Sequence, residues 1–229
     1  MSMKKNNIIN EKSSNAFRET QNLYQKAIRK AILDSASDLF IQKGPSALTM
    51  RGISQTVGCS TSVLYTMFGS KQGLISEIYR SGFDILYQTL KAVSYPECSL
   101  DYLFAIGRAY RSFALDNSAY YSLMFLQAIP EYPPEKADRQ FGQETSELFV
   151  QAVRNCLNAS ESTLDDPGEI AYMIWGTLHG HIGLELIGYF QNPLAAQQRF
   201  EKVFQALVIG LGLNEQDILM TLDKNGKLT

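Results

Sequence analysis

Every proline in this 229-residue chain stands where a helix would start or stop: Pro45, Pro96, Pro130, Pro133, Pro134, Pro167 and Pro193. Proline lacks the amide hydrogen that a helix interior uses, so the stretches between these positions can run as long, uninterrupted helices. Two of the seven mark starts outright. Asp166-Pro167 and Asn192-Pro193 each place a side-chain acceptor at the N-cap and proline at the first helical position. Asn214, three residues ahead of Asp217, offers a weaker cap for a short last helix. Between these marks the apolar spacing is helical. Ala27, Ile28, Ala31, Ile32, Ala36, Leu39 and Phe40 fall on one face of a first long helix, which Gly44 can end. Phe200, Val203, Phe204, Leu207 and Leu211 repeat the pattern near the other end. No run of alternating strand residues bounded by hairpin turns occurs, and the predicted fold class is all-α.

Charge divides the chain. Residues 1–80 hold 11 basic and 5 acidic side chains, a net of +6; residues 81–229 hold 10 and 18, a net of −8. The whole-chain charge of −2 excludes a protein that coats nucleic acid along its length, while the split predicts two parts with different partners. Residues 1–22 are polar, with Lys4, Lys5, Asn6 and Asn7 near the tip, and read as a flexible tail. Cys59, Cys98 and Cys156 are odd in number and far apart. They form neither a disulfide framework nor a zinc spacing, which points to the reducing cytoplasm. The amino terminus lacks the apolar run of a secretory leader. Ile170 to Phe190 is long and apolar but contains His179, His181 and Glu185, so it reads as a buried helix and no membrane partner is expected.

Residues 49–71 read TMRGISQTVGCSTSVLYTMFGSK. Thr49 can cap a short helix through about Val57, with Ile53 and Val57 inward. Gly58 then supplies a tight turn. Ser60 can cap a second short helix, with Val63, Leu64 and Met67 inward. Two such helices joined by a glycine-containing turn form the unit that presents its second helix to the DNA major groove. The outer face of that helix would carry Ser60, Thr61, Ser62, Tyr65 and Thr66, hydroxyl groups suited to phosphate oxygens and base edges.

The run Ile32 to Leu74 resembles the amino-terminal domain of the TetR family of bacterial repressors. The match rests on Ala36, Leu39-Phe40, Gly44, Ile53, Gly58, Ser60, Leu64-Tyr65, Phe68, Ser70-Lys71 and Leu74 in order. Ser54, Cys59, Thr61 and Met67 depart from the residues usual there. The resemblance implies that Thr49 and Arg51 contact DNA backbone from the support helix, and that Ser60, Thr61 and Ser62 face the bases. It also implies that Tyr65 and Lys71 contact phosphates, Lys71 at the start of the next helix, where the helix dipole also favours an anion. The helix-turn-helix domain would span residues 23–74, with its motif at 49–68, and residues 75–229 would form an effector-binding and dimerisation domain.

That second part is acidic and rich in aromatic residues, a composition that serves a small-molecule pocket or an ordinary core equally well. Gly176 and Gly180, with Gly183 beside them, give one helical face on which another helix could approach closely. Trp175, His179 and Gly180 resemble a TetR subgroup named for Trp, His and Gly. The family implies a homodimer through its last two long helices, here near residues 167–190 and 194–212. Tyr121, Phe125, Tyr172, Trp175 and His179 are the expected pocket residues, on aromatic content and family likeness. His179 and His181 lie about 200° apart around a helix and cannot share a ligand face. His181 and Glu185 could pair, but no third metal ligand follows at suitable spacing. Neither a nucleophile elbow nor a nucleotide fingerprint is present, and no catalytic residue, metal or cofactor is expected. The expected function is a dimeric regulator that binds a palindromic operator in double-stranded DNA and releases it when a small apolar or aromatic effector binds. Two rivals remain: a helical ligand- or metal-binding enzyme, and a helical scaffold that binds protein.

Overall fold

A computed structural model describes residues 2–96, 98–126, 133, 135–159, 166–190 and 192–213. Among the described residues are nine α-helices and no strand, the all-α class expected. In chain order these are α1 (Ser2–Lys43), α2 (Met50–Val57), α3 (Thr61–Phe68), α4 (Lys71–Lys91) and α5 (Ser99–Asp116). After them come α6 (Ser118–Phe125), α7 (Lys136–Ala159), α8 (Pro167–Leu186) and α9 (Pro193–Gly210). The cap expected at Asn214 lies outside the described residues. Residues 2–22, read from composition as a flexible tail, have helical backbone as the first part of α1. No glycine or proline precedes Gly44, so nothing local interrupts that helix.

The chain divides into two compact units, with the division after Ile78, inside α4. In the first, Ile32, Ala36, Leu39 and Phe40 of α1 share a core with Ile53, Leu64, Phe68 and Leu74. Ala27 and Ala31, expected on the inner face, are exposed, because packing against α1 begins only at Ile32.

In the second unit α7 packs on α5 and α8, and α9 packs on α8. Gly107 lets α5 and α9 meet: a Cβ there would fall 2.1 Å from Cε1 of Phe204. The caps at Asp166 and Asn192 form as expected. Asp166 accepts from the amide of Gly168, and Asn192 from those of Leu194 and Ala195, with proline in the first turn of each helix. Helix α9 buries Ala196, Phe200, Phe204 and Val208, a stripe repeating every four residues. Val203 is therefore exposed, and Leu207 and Leu211 are half-buried, instead of sharing the inner face. Helix α8 buries Ile170, Ala171, Ile174, Leu178, His181 and Ile182, while Tyr172, Met173, Leu184 and Ile187 face outward. It was expected to be a buried helix; it is apolar on both sides, and the single chain covers one. Among the described residues no helix is long and apolar enough to cross a membrane.

Candidate nucleic-acid interface and ligand cavity

The interface begins with two short helices whose ends are fixed by neighbouring residues. Thr49 is the N-cap of α2, and its Oγ1 accepts from the amide of Gly52 at 2.9 Å. Helix α2 stops at Gly58, whose φ of 75° and ψ of 31° lie in the left-handed region that a side chain disfavours. The amides of Gly58 and Cys59 both close onto the carbonyl of Ser54. The Ser54 side chain, buried here, donates to the carbonyl of Arg51 at 2.9 Å, so a hydroxyl at this inner position is satisfied. Ser60 then caps α3 by accepting from the amide of Val63. Ser70 accepts from the amide of Gly73 at 3.0 Å and starts α4, with Lys71 as its first residue.

These caps aim α3. Leu64 and Phe68 point into the core, while Thr61, Ser62, Tyr65 and Thr66 lie on the exposed side. Thr49, Arg51 and Ser60 are exposed as well, and Lys71 is half-buried. Val63, expected inward, is exposed and joins the outer surface. It sits only one residue from Leu64, about 100° around the helix, and the core takes just one of the two. Thr49 and Ser60 spend acceptor capacity on their caps but keep a hydroxyl hydrogen to donate to a phosphate oxygen. Helix α3 carries no charged side chain; the formal charge near it comes from Arg51 and Lys71.

One supporting group escaped the sequence reading. Arg29 of α1 makes a two-pronged ion pair with Glu77 of α4. Its Nη1 donates to the carbonyl of Met67, in the last turn of α3, at 2.8 Å. The guanidinium also lies 4.8 Å from the ring centroid of Phe68. One cation thereby ties the end of the exposed helix to its two neighbours. The contact spans 48 residues, and no local spacing signals it.

In the second unit a cavity of about 230 Å³ opens among four helices. Phe83 and Leu86 line it from α4, Phe125 from α6, Thr145, Phe149 and Val150 from α7, and Ala171, Tyr172 and Trp175 from α8. Phe125, Tyr172 and Trp175 were among the expected pocket residues. Tyr121 and His179, the other two, do not line it and instead form a polar cluster beside its wall. The Trp175 indole donates to the Tyr110 hydroxyl at 3.0 Å. Tyr110 contacts the Tyr121 hydroxyl at 3.4 Å, and Tyr121 lies 2.5 Å from Nδ1 of His179. Burial pushes the hydroxyls of Tyr110 and Tyr121 above their ordinary range and holds His179 below its own. A neutral imidazole with Nδ1 accepting from Tyr121 satisfies that geometry. The rings of Phe125 and Trp175 each sit 5.3 Å from His179, between it and the cavity contents. Phe83, Phe149 and Thr145 were missed because α4 and α7 carry no dense aromatic cluster to flag them.

His181 and Glu185, which could pair by spacing, do not. His181 is buried beside Phe190 and Phe200, with Nε2 3.2 Å from the carbonyl of Ala196. Glu185 is gripped by Arg111 of α5 through two hydrogen bonds. A bidentate arginine outcompetes an imidazole for a half-buried carboxylate.

Two family models match the chain. Residues 32–78 match the one described as bacterial regulatory proteins, tetR family, and residues 103–207 the one described as tetracyclin repressor-like, C-terminal domain. The HTH-type transcriptional repressor KstR2 of Rhodococcus jostii (strain RHA1) is 37% identical over 59 residues, 26% of this chain and 29% of that one. The chain thus spans less than a third of the curated relative it matches. Among solved structures, a regulatory protein designated SCO4313 superposes with a TM-score of 0.66 at 24% identity, covering 82% of this chain and 98% of that chain. The TetR family transcriptional regulator PfmR from Thermus thermophilus superposes with a TM-score of 0.62 at 20% identity, covering 76% and 97%. At these identities the likeness is one of fold.

Proposed function

Because the chain belongs to the TetR family of bacterial regulatory proteins, we propose that this DNA-binding transcriptional regulator is a homodimeric repressor. Its hold on a palindromic operator would be relaxed by a small apolar or aromatic effector. The observation that carries the reading is the exposed side of α3, where Thr61, Ser62, Tyr65 and Thr66 stand clear of a core closed by Leu64 and Phe68. Thr61 and Ser62 meet base edges; Thr49, Arg51, Ser60, Tyr65 and Lys71 hold phosphates and set the register. The name of KstR2, a transcriptional repressor similar over the same region, supports repression over activation.

Dimerisation is supported by the uncovered sides of α8 and α9. Tyr172, Met173, Leu184 and Ile187 on one helix and Leu194, Val203 and Ile209 on the other are exposed in the single chain. A Cβ at Gly176, Gly180 or Gly183 would have no atom within 4 Å, which leaves room for a second backbone to approach. A two-fold pair sets two reading helices about 34–36 Å apart, one turn of duplex. The cavity supports the effector: a molecule that prefers the conformer with misplaced reading helices draws the population away from DNA, by no more than its difference in affinity for the two states. The reading calls for no catalytic residue, metal or cofactor, and places the protein in the cytoplasm beside the DNA.

Selection of bound sequences from a random DNA pool tests it. A palindromic product with affinity falling steeply in salt is the expected result. No enrichment, or association indifferent to salt, would overturn it in favour of a protein-binding scaffold.

A further inference from the structure

Resting on the effector reading above, we infer that the cavity selects an uncharged ligand of one or two fused rings bearing one hydrogen-bonding oxygen, anchored by the hydroxyl of Thr145. Three observations converge. The lining holds no lysine, arginine, histidine, aspartate or glutamate. A carboxylate, phosphate or ammonium brought inside would lose its water and meet no counter-charge, which sets a steep penalty against ionised ligands. The walls are otherwise apolar and aromatic, from Phe83, Phe125, Phe149 and Trp175 among others, and favour a flat hydrophobic body.

The third observation is Thr145 itself. Only 4% of the residue is exposed, yet its Oγ1 has no hydrogen-bond partner within the protein. A threonine inside a helix ordinarily satisfies its hydroxyl on the carbonyl one turn back; Thr145 does not. A buried hydroxyl left without a partner is costly, and a ligand oxygen that completes it gains specificity as well as affinity. Ser146, next in the chain, is already committed, donating to the carbonyl of Gln143 at 2.9 Å. Size follows from volume. An apolar cavity of about 150 Å³ accommodates benzene, so about 230 Å³ admits one further small ring or a short substituent.

The test uses the full chain and three probes of one shape: 2-naphthol, 2-methylnaphthalene and 2-naphthoate, titrated calorimetrically without DNA. The expected result is that 2-naphthol binds tightest and 2-naphthoate at least about tenfold more weakly. Thr145→Val, which keeps shape and removes the hydroxyl, should weaken 2-naphthol by about tenfold, the worth of one neutral hydrogen bond, and leave 2-methylnaphthalene unchanged. Thr145→Ser should restore 2-naphthol binding. The inference is overturned if 2-naphthoate binds as well as 2-naphthol, if Thr145→Val weakens both neutral probes equally, or if none of the three binds. Operator affinity is measured separately. The expected ranking with operator affinity unchanged supports the ligand chemistry and sinks the effector reading. Operator release by 2-naphthoate in preference to 2-naphthol does the reverse.

Discussion

Arg29 and Glu77 face each other as two forks, Nε to Oε2 at 2.7 Å and Nη2 to Oε1 at 2.5 Å, although 48 residues separate them. The arginine also holds the carbonyl of Met67 at the end of α3. Both side chains keep about a third of their surface in water, which limits what the pair adds to stability. Its main effect is geometric. Glu77→Gln should lower stability by only about 1 kcal/mol while weakening operator binding several-fold with sequence preference intact. Urea unfolding and a binding isotherm on one variant check both halves; a change in preferred sequence would contradict a positioning role.

Phosphate and base contacts should separate by salt. Lys71→Ala is expected to weaken binding to all sequences and to lower the salt slope by about one. Tyr65→Phe should also weaken binding uniformly, without changing the slope. Thr61→Val or Ser62→Ala should instead alter which operator is preferred. Isotherms at several salt concentrations, on two operators differing at one base pair, distinguish these outcomes.

Gly58 is required for its backbone and not for its size. Nothing lies within 4 Å of where its Cβ would be, but its φ is +75°. Gly58→Ala should therefore cost about 1–2 kcal/mol, the steric penalty of the left-handed region, without disturbing any packing contact. Gly58→Asn, which tolerates that region better, should lose less. Equal losses in urea midpoint for the two would argue against the backbone explanation.

His179 predicts an acid-sensitive fold. Burial holds its folded-state pKa below the ordinary value of 6.5, so the unfolded chain takes up a proton more readily. The stability contribution is complete above pH 6.5 and is lost as pH falls through the folded-state value. His179→Asn keeps an acceptor for Tyr121 but does not titrate, and should lose less stability than the parent between pH 7 and pH 5. Denaturant midpoints at the two pH values provide the comparison.

The parts of the molecule that were legible beforehand are those made by neighbours in sequence. The caps at Thr49, Ser60, Asp166 and Asn192 and the turn at Gly58 each close within a few residues, so composition at fixed offsets specifies them. Faces were read less well, because periodicity identifies an apolar stripe without identifying what covers it. Ala27 and Ala31 continue the stripe of α1 past the end of its packing partner, and Val63 and Val203 sit at its margins. Long-range choices were not readable at all. Arg111 lies 74 residues from Glu185 and took the carboxylate that spacing offered to His181. Thr145 gives no signal in sequence, since only the surrounding fold leaves its hydroxyl without a partner.

Gly107 and Phe204 constrain the order in which this chain can change. With a Cβ at 107 destined to land 2.1 Å from the ring of Phe204, any larger residue there is blocked while the ring remains. Loss of the ring first would open a cavity beside Phe104, whose centroid lies 4.8 Å from that of Phe204, and would itself weaken the fold. The two positions are thus locked into a joint trajectory: a descendant with a bulkier residue at 107 must have passed through a smaller one at 204, or have drawn α5 and α9 apart.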